Sequence, residues 1–115
     1  MRVVKLFTIF TCVAILFGCS SGTIEDKPIY QGAKDIKTFV KEDNWGKAKQ
    51  KAKSIKKLYK DNKWKYQLIS DKTTYDNLEQ QIELLTVSLE ENDKTEAKLH
   101  LALIEHYMKS LYYKE

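Results

Sequence analysis

A chain of 115 residues with one Pro and four Gly is too poor in turn residues for a β sandwich or barrel, yet long enough for one small core. Its formal charge of +4 conceals an uneven spread: 13 Lys against six acids from Glu25 to Tyr66, then five Lys against ten acids from Gln67 to Glu115. Arg2 is the sole Arg, so the bidentate guanidinium contacts usual in phosphate and base recognition are missing, which argues against a nucleic-acid partner.

The N-terminus reads as a targeting segment. Arg2 and Lys5 precede an apolar run, Leu6 to Leu16, that is shorter than the roughly 20 residues of an ordinary transmembrane helix. Leu16-Phe17-Gly18-Cys19 then resembles the bacterial lipobox: an aliphatic residue at −3, a small one at −1, then the cysteine. Phe17 is bulkier than the usual −2 residue. The resemblance implies a lipoprotein signal peptide over residues 1–18, cleavage before Cys19, and a membrane anchor of thioether-linked lipid and fatty acid such as palmitate on Cys19. The alternatives are an uncleaved signal anchor or a chance Cys near the end of the apolar run. Residues 19–27 are polar and suit a lipidated tether, leaving residues 28–115 as the folded domain. Cys12 is discarded with the signal and Cys19 is consumed by lipid, so disulfides, thiol catalysis and Cys-ligated metal drop out.

Beyond the tether, apolar residues repeat with helical period. Ile29, Ala33, Ile36 and Val40 form the first stripe, with Pro28 suited to an opening turn. Trp45, Ala48, Ala52, Ile55 and Tyr59 form the second, with Asp43 or Asn44 as cap and Asn62 near its end. Trp64, Tyr66 and Leu68 alternate with polar residues as a strand would. With helices on either side and no partner strand, that connection is expected to be a helical extension followed by a loop.

The third stripe is Tyr75, Leu78, Ile82, Leu85 and Leu89, with Thr73-x-x-Asp76 as a capping box. Ala97, Leu101, Ile104, Met108 and Leu111 form the fourth, after the similar Asp93-x-x-Glu96. Leu99, Leu103 and Tyr107 widen that apolar face and predict more than one neighbour for the last helix. Each stripe needs another to bury it, so the expected fold is all-α: a small bundle of three long helices plus a shorter N-terminal one. "DNWGKA" and "NDKTEA" echo one another in the placing of Ala48 and Ala97, but two weak copies do not make a repeat array.

Taken together, Asp43-Asn44-Trp45 with Ala48, the second Trp at Trp64, the spacing from Asp71 to Leu85, and the closing "SLYYKE" resemble the bacterial family catalogued as domain of unknown function 4363. The likeness spans Lys41 to Leu111. It implies a small helical protein held at the outer face of the membrane, and it transfers no catalytic residues.

Few residues point to chemistry. His100 and His106 lie about 600° apart on a helix and face different ways, so they are expected to be surface or rim histidines rather than metal ligands. Glu79 and Glu83, with Asp76 nearby, read as a solvated acidic face opposite the basic helix. No nucleophile elbow or phosphate loop occurs, and neither enzyme activity nor a cofactor is expected.

The dense lysine run is the most pointed feature: Lys47, Lys49, Lys51, Lys53, Lys56, Lys57 and Lys60, continued by Lys63 and Lys65. Beside Trp45 and "KWKY" it has the composition of a surface for anionic lipid or wall polymer. Its bland counterpart is a solvated helix whose lysines pair loosely with Glu79, Glu83, Glu90 and Glu91. The expected role is therefore an extracytoplasmic, lipid-anchored accessory or interaction protein, with a membrane protein as partner. A binding module using the lysine run is the alternative.

Overall fold

The computed structural model of the protein describes residues 27–112. It is an all-α bundle of four helices: α1 (Pro28–Lys41), α2 (Trp45–Ile69), α3 (Lys72–Glu90) and α4 (Lys94–Tyr112). Each packs against its neighbour in the chain, α4 returns against α1, and α2 and α4 meet only narrowly across the diagonal. The four apolar stripes converge as predicted, and all their members are buried except Trp45 and Tyr75, which are half-buried at the stripe ends. α4 does have two main neighbours; of the three residues that widen its face, Tyr107 packs against the core, whereas Leu99 is 51% exposed.

Short connections force the up-and-down order. After α1 the chain makes a Schellman turn: Asn44 N donates to Phe39 O (2.8 Å) and Asp43 N to Val40 O (3.1 Å), with Asp43 left-handed at φ 56°. Asn44 then serves at once as N-cap of α2, its Oδ1 accepting from Lys47 N. The turn after α3 repeats this bond for bond. Asp93 N donates to Ser88 O (2.9 Å) and Asn92 N to Leu89 O (3.1 Å), Asn92 has φ 53°, and Asp93 Oδ1 accepts from Glu96 N.

Those turns lie 49 residues apart (Asp43 to Asn92), and the same step maps the interior of one helical hairpin onto the other. Ile29, Ala33, Ile36 and Val40 correspond to Leu78, Ile82, Leu85 and Leu89. On the returning helices, Ala48, Ala52, Ile55 and Tyr59 correspond to Ala97, Leu101, Ile104 and Met108. The faint echo in the sequence thus marks a real structural repeat of α1–α2 by α3–α4. Lys94 Nζ on Asp43 Oδ1 (2.8 Å) ties the two turns together.

Two expectations change. α2 does not give way to a loop after its extension: it runs for 25 residues to Ile69, because Tyr66 continues the buried stripe of Ile55 and Tyr59, and only Ser70 and Asp71 remain as linker. The N-cap of α3 is Asp71, not Thr73. Helical geometry is already established at Lys72, while Asp71 keeps an extended backbone, and Asp76 turns to Lys72 Nζ at 2.8 Å.

The first repeat is tighter than the second. Gly32 on α1 is buried against Ile55, where a Cβ would come within 2.9 Å of Ile55 Cγ1. Gln81 holds the corresponding place in α3 and bonds to His100 Nδ1 at 2.7 Å. At 14 residues α1 is also much shorter than α2, so the last turns of α2 run past the start of α1. A cleft of about 230 Å³ opens there among Lys27, Asn62, Lys65, Tyr66 and Tyr112.

Candidate functional site

The nine lysines of α2 are set by a helix-favouring sequence of Lys, Ala, Gln and Leu that carries a single acid, Asp61. Folding divides eight of them among three directions, and Lys65 lines the cleft beside Tyr66 and Tyr112. Toward α1, Lys51 pairs with Asp35 (3.4 Å) and Lys47 lies over the Phe39 ring. Toward α3, Lys56 pairs with Glu83 (3.1 Å) and Lys63 with Glu79 (3.4 Å). Away from the bundle stand Lys53, Lys57 and Lys60, all exposed, with half-exposed Lys49 at the edge of the same face. These four make no ion pair within the described residues.

The seven-lysine run is therefore not one binding face. Its outward four lie at spacings of four, four and three, and they repel one another by a few tenths of a kcal/mol per neighbouring pair. Lys53, Lys56, Lys57 and Lys60 surround a shallow depression that also holds Asp61. Of the four acids expected to pair with the run, Glu79 and Glu83 do so.

Trp45 and Trp64 separate cleanly. Trp45 packs against the core. Trp64 is 63% exposed and Leu68 77%, and both continue the line Lys53, Lys57, Lys60 in the same steps of three and four. The sequence sets Trp64 of "KWKY" beside the lysine run, but a strand-like alternation hides that Leu68 extends the same line. Extending the helical period beyond Asn62 brings it out.

His100 is buried rather than at the surface. It stands between Gln81 and Glu96, whose carboxylate is 3.4 Å from Nε2. The second repeat has side chains here where the first has Gly32 and Lys51, so a polar ring fills a gap that backbone closes in the other hairpin. His106 is exposed and edge-on to Tyr107, so the two histidines do face apart. Among the described residues, no three His, Cys, Asp or Glu side chains are grouped to hold a metal.

The perturbed phenols are structural. Burial, reinforced by Glu79 and Asp76, pushes the Tyr59 hydroxyl above its ordinary range, and it donates to Tyr75 O at 2.8 Å. Burial likewise raises Tyr66 and Tyr112. The hydrogen bond to Asp76 holds the Lys72 ammonium protonated beyond its usual range.

Cys19, the expected signal peptide and all of the expected tether but Lys27 lie outside the described residues. No helix among the described residues is long and apolar enough to cross a membrane. Comparison with curated proteins and with solved structures finds no match. The model of one family does match, over residues 23–115 and hence across the whole bundle: this chain belongs to the family described as domain of unknown function DUF4363.

Proposed function

We propose that this is a lipid-anchored accessory protein of the extracytoplasmic membrane face, held there through Cys19 and engaging a membrane protein. The observation that carries the reading is the distribution of unpartnered apolar side chains. The eight residue pairs matched by the repeat are all buried, yet Leu84 and Val87 on α3 and Leu99 on α4 are left exposed. Large apolar side chains on an otherwise well-packed bundle favour contact with a partner surface over work in an interior cavity. Confinement to the membrane would raise the effective concentration of such a surface near its partner. We assign the protein no catalytic role. Crosslinking in intact cells with Cys19 preserved tests the proposal: one dominant integral membrane protein is expected, and its loss in a Val87→Glu, Leu99→Glu variant would tie it to this surface. Recovery of lipid or wall polymer alone would count against it.

A second reading, a module for anionic lipid or wall polymer, draws on the outward line of Lys53, Lys57 and Lys60, which no acid of the bundle neutralises through an ion pair. Salt-sensitive binding lost in Lys53→Glu is its expected signature.

A further inference from the structure

We infer that the α2–α3 end of the bundle is a bilayer-docking end, in which Trp64, Leu68 and Ile69 enter the headgroup layer of an anionic membrane while Lys60 and Lys65 contact its phosphates. The inference rests on the membrane-anchored reading and narrows the second one from a lysine face to one end of the molecule.

Three observations meet at that end. The first is chain entry. The ammonium of Lys27 lies 4.5 Å from the centre of the Tyr112 ring, and both residues line the cleft beside Asn62, Lys65 and Tyr66. The chain therefore enters the bundle next to the last turns of α2. The eight Cα–Cα steps from Cys19 to Lys27 reach at most about 28 Å, so a lipid on Cys19 keeps this end close to the bilayer.

The second is exposed apolar surface. Trp64 is 63% exposed, Leu68 77% and Ile69 37%, all within the last two turns of α2. An indole with an apolar body and one N–H donor suits the bilayer interface better than either water or hydrocarbon. The lysines beside it can keep their ammonium groups in the headgroup region while their stems follow the apolar side chains inward.

The third is charge polarity along the bundle. Lys60 and Lys65 flank Trp64 and form no ion pair within the described residues. At the opposite end, the two Schellman turns collect Glu42, Asp43, Glu90, Glu91 and Asp93, against Lys41 and Lys94. Asp61 and Asp71 accompany those lysines, leaving the first end near charge balance while the second is net negative, so an anionic surface repels the second end and charge and apolar exposure select the same orientation. A soluble polymer could use the lysines but gives the three apolar side chains no apolar layer to enter, which is why a bilayer is the better occupant.

The sequence provides its own probe, because Trp45 and Trp64 are the only tryptophans. In the full chain carrying Trp45→Phe, Trp64 reports alone. Reconstituted on vesicles of mixed phosphatidylglycerol and phosphatidylcholine, its emission is expected to shift to the blue and to be quenched by brominated acyl chains. Reversing Lys60 and Lys65 to Glu should lower the docked-to-undocked ratio by on the order of tenfold or more, since each near-surface lysine contributes roughly fivefold. Leu68→Glu should do the same with an unchanged melting temperature, its side chain being exposed in the fold. A chain that floats with the vesicles while Trp64 emission stays water-like and unquenched would overturn docking and leave anchoring intact. Failure to float would overturn both. Equal quenching on phosphatidylcholine alone would overturn the part assigned to lysine.

Discussion

Gly32 and Gly46 both sit in helices, yet their surroundings give them opposite roles. A methyl group at Gly32 would meet the Ile55 side chain at 2.9 and 3.0 Å, whereas one at Gly46 would meet nothing within 4 Å. Helix propensity favours Ala at either position by up to about 1 kcal/mol. At Gly32 the overpacking cost, about 1–3 kcal/mol, outweighs it, because Ile55 is β-branched and buried. Urea unfolding should therefore show Gly32→Ala destabilising by about 1 kcal/mol and Gly46→Ala stabilising by about 0.5 kcal/mol. A stabilising Gly32→Ala would mean that the helices are not in contact there. The tyrosines supply a pH signature at the same scale. Unfolded phenols ionise near pH 10, while burial holds Tyr59, Tyr66 and Tyr112 protonated beyond that. Their contribution is thus complete below pH 10 and falls as pH rises further, because the folded state then binds more protons than the unfolded one. Melting temperature should fall from pH 10 upward. Tyr59→Phe, which removes the bond to Tyr75 O, should cost about 1 kcal/mol at pH 8, with the deficit shrinking above pH 10.

At the scale of the element, the two hairpins share one device, a residue that both completes a Schellman turn through its backbone and caps the next helix through its side chain. Asn44→Ala and Asp93→Ala should each cost about 1 kcal/mol, since the backbone bonds survive and only the cap is lost. Asn92→Gly relieves a left-handed side chain and is expected to raise stability by a few tenths of a kcal/mol. Asp43→Gly should gain less, because it also gives up the pair with Lys94. Thermal unfolding of the four variants checks the equivalence of the turns; a large gap between the two alanine variants would show that the repeat does not extend to energetics. Much of this was legible in advance. Asp93, and Asp43 or Asn44, are readable as caps because an amide or carboxylate precedes each stripe, and the structure selects Asn44. The start of α3 was misplaced because Asp71, Thr73 and Thr74 all carry cap chemistry, and only backbone conformation selects among them.

For the molecule as a whole, the decisive feature is the division of the lysines. Lys53 has lysines at i−4, i+3 and i+4, so Lys53→Glu should raise stability by about 0.5 kcal/mol through relief of like-charge pairs, while weakening any contact with an anionic surface. Lys56→Glu sets a carboxylate against Glu83 and should lower stability by up to about 1 kcal/mol, the pair being largely exposed. Two neighbouring substitutions of identical chemistry thus have opposite signs, and chemical unfolding at low salt distinguishes them. If Lys53→Glu proved destabilising, the outward lysines would have to be partners within the fold.

By itself the sequence determined the helices, their stripes and their order, because period and caps are local and buried stripes must find one another. It also marked the lysine-rich helix and the family. Tertiary structure alone decided which lysines are free, since Asp35, Glu79 and Glu83 come from other helices. It revealed the hairpin repeat, which two short sequence echoes could not establish but matching turns and matching buried positions do. His100 became an interior residue only because Gln81 lies opposite. Trp64 and Leu68 remained outside because α2 keeps its helical phase beyond Asn62, with Tyr66 turned inward and its neighbours turned out. Local sequence can state a helix's phase, but the direction that counts as inward is set by the helices around it.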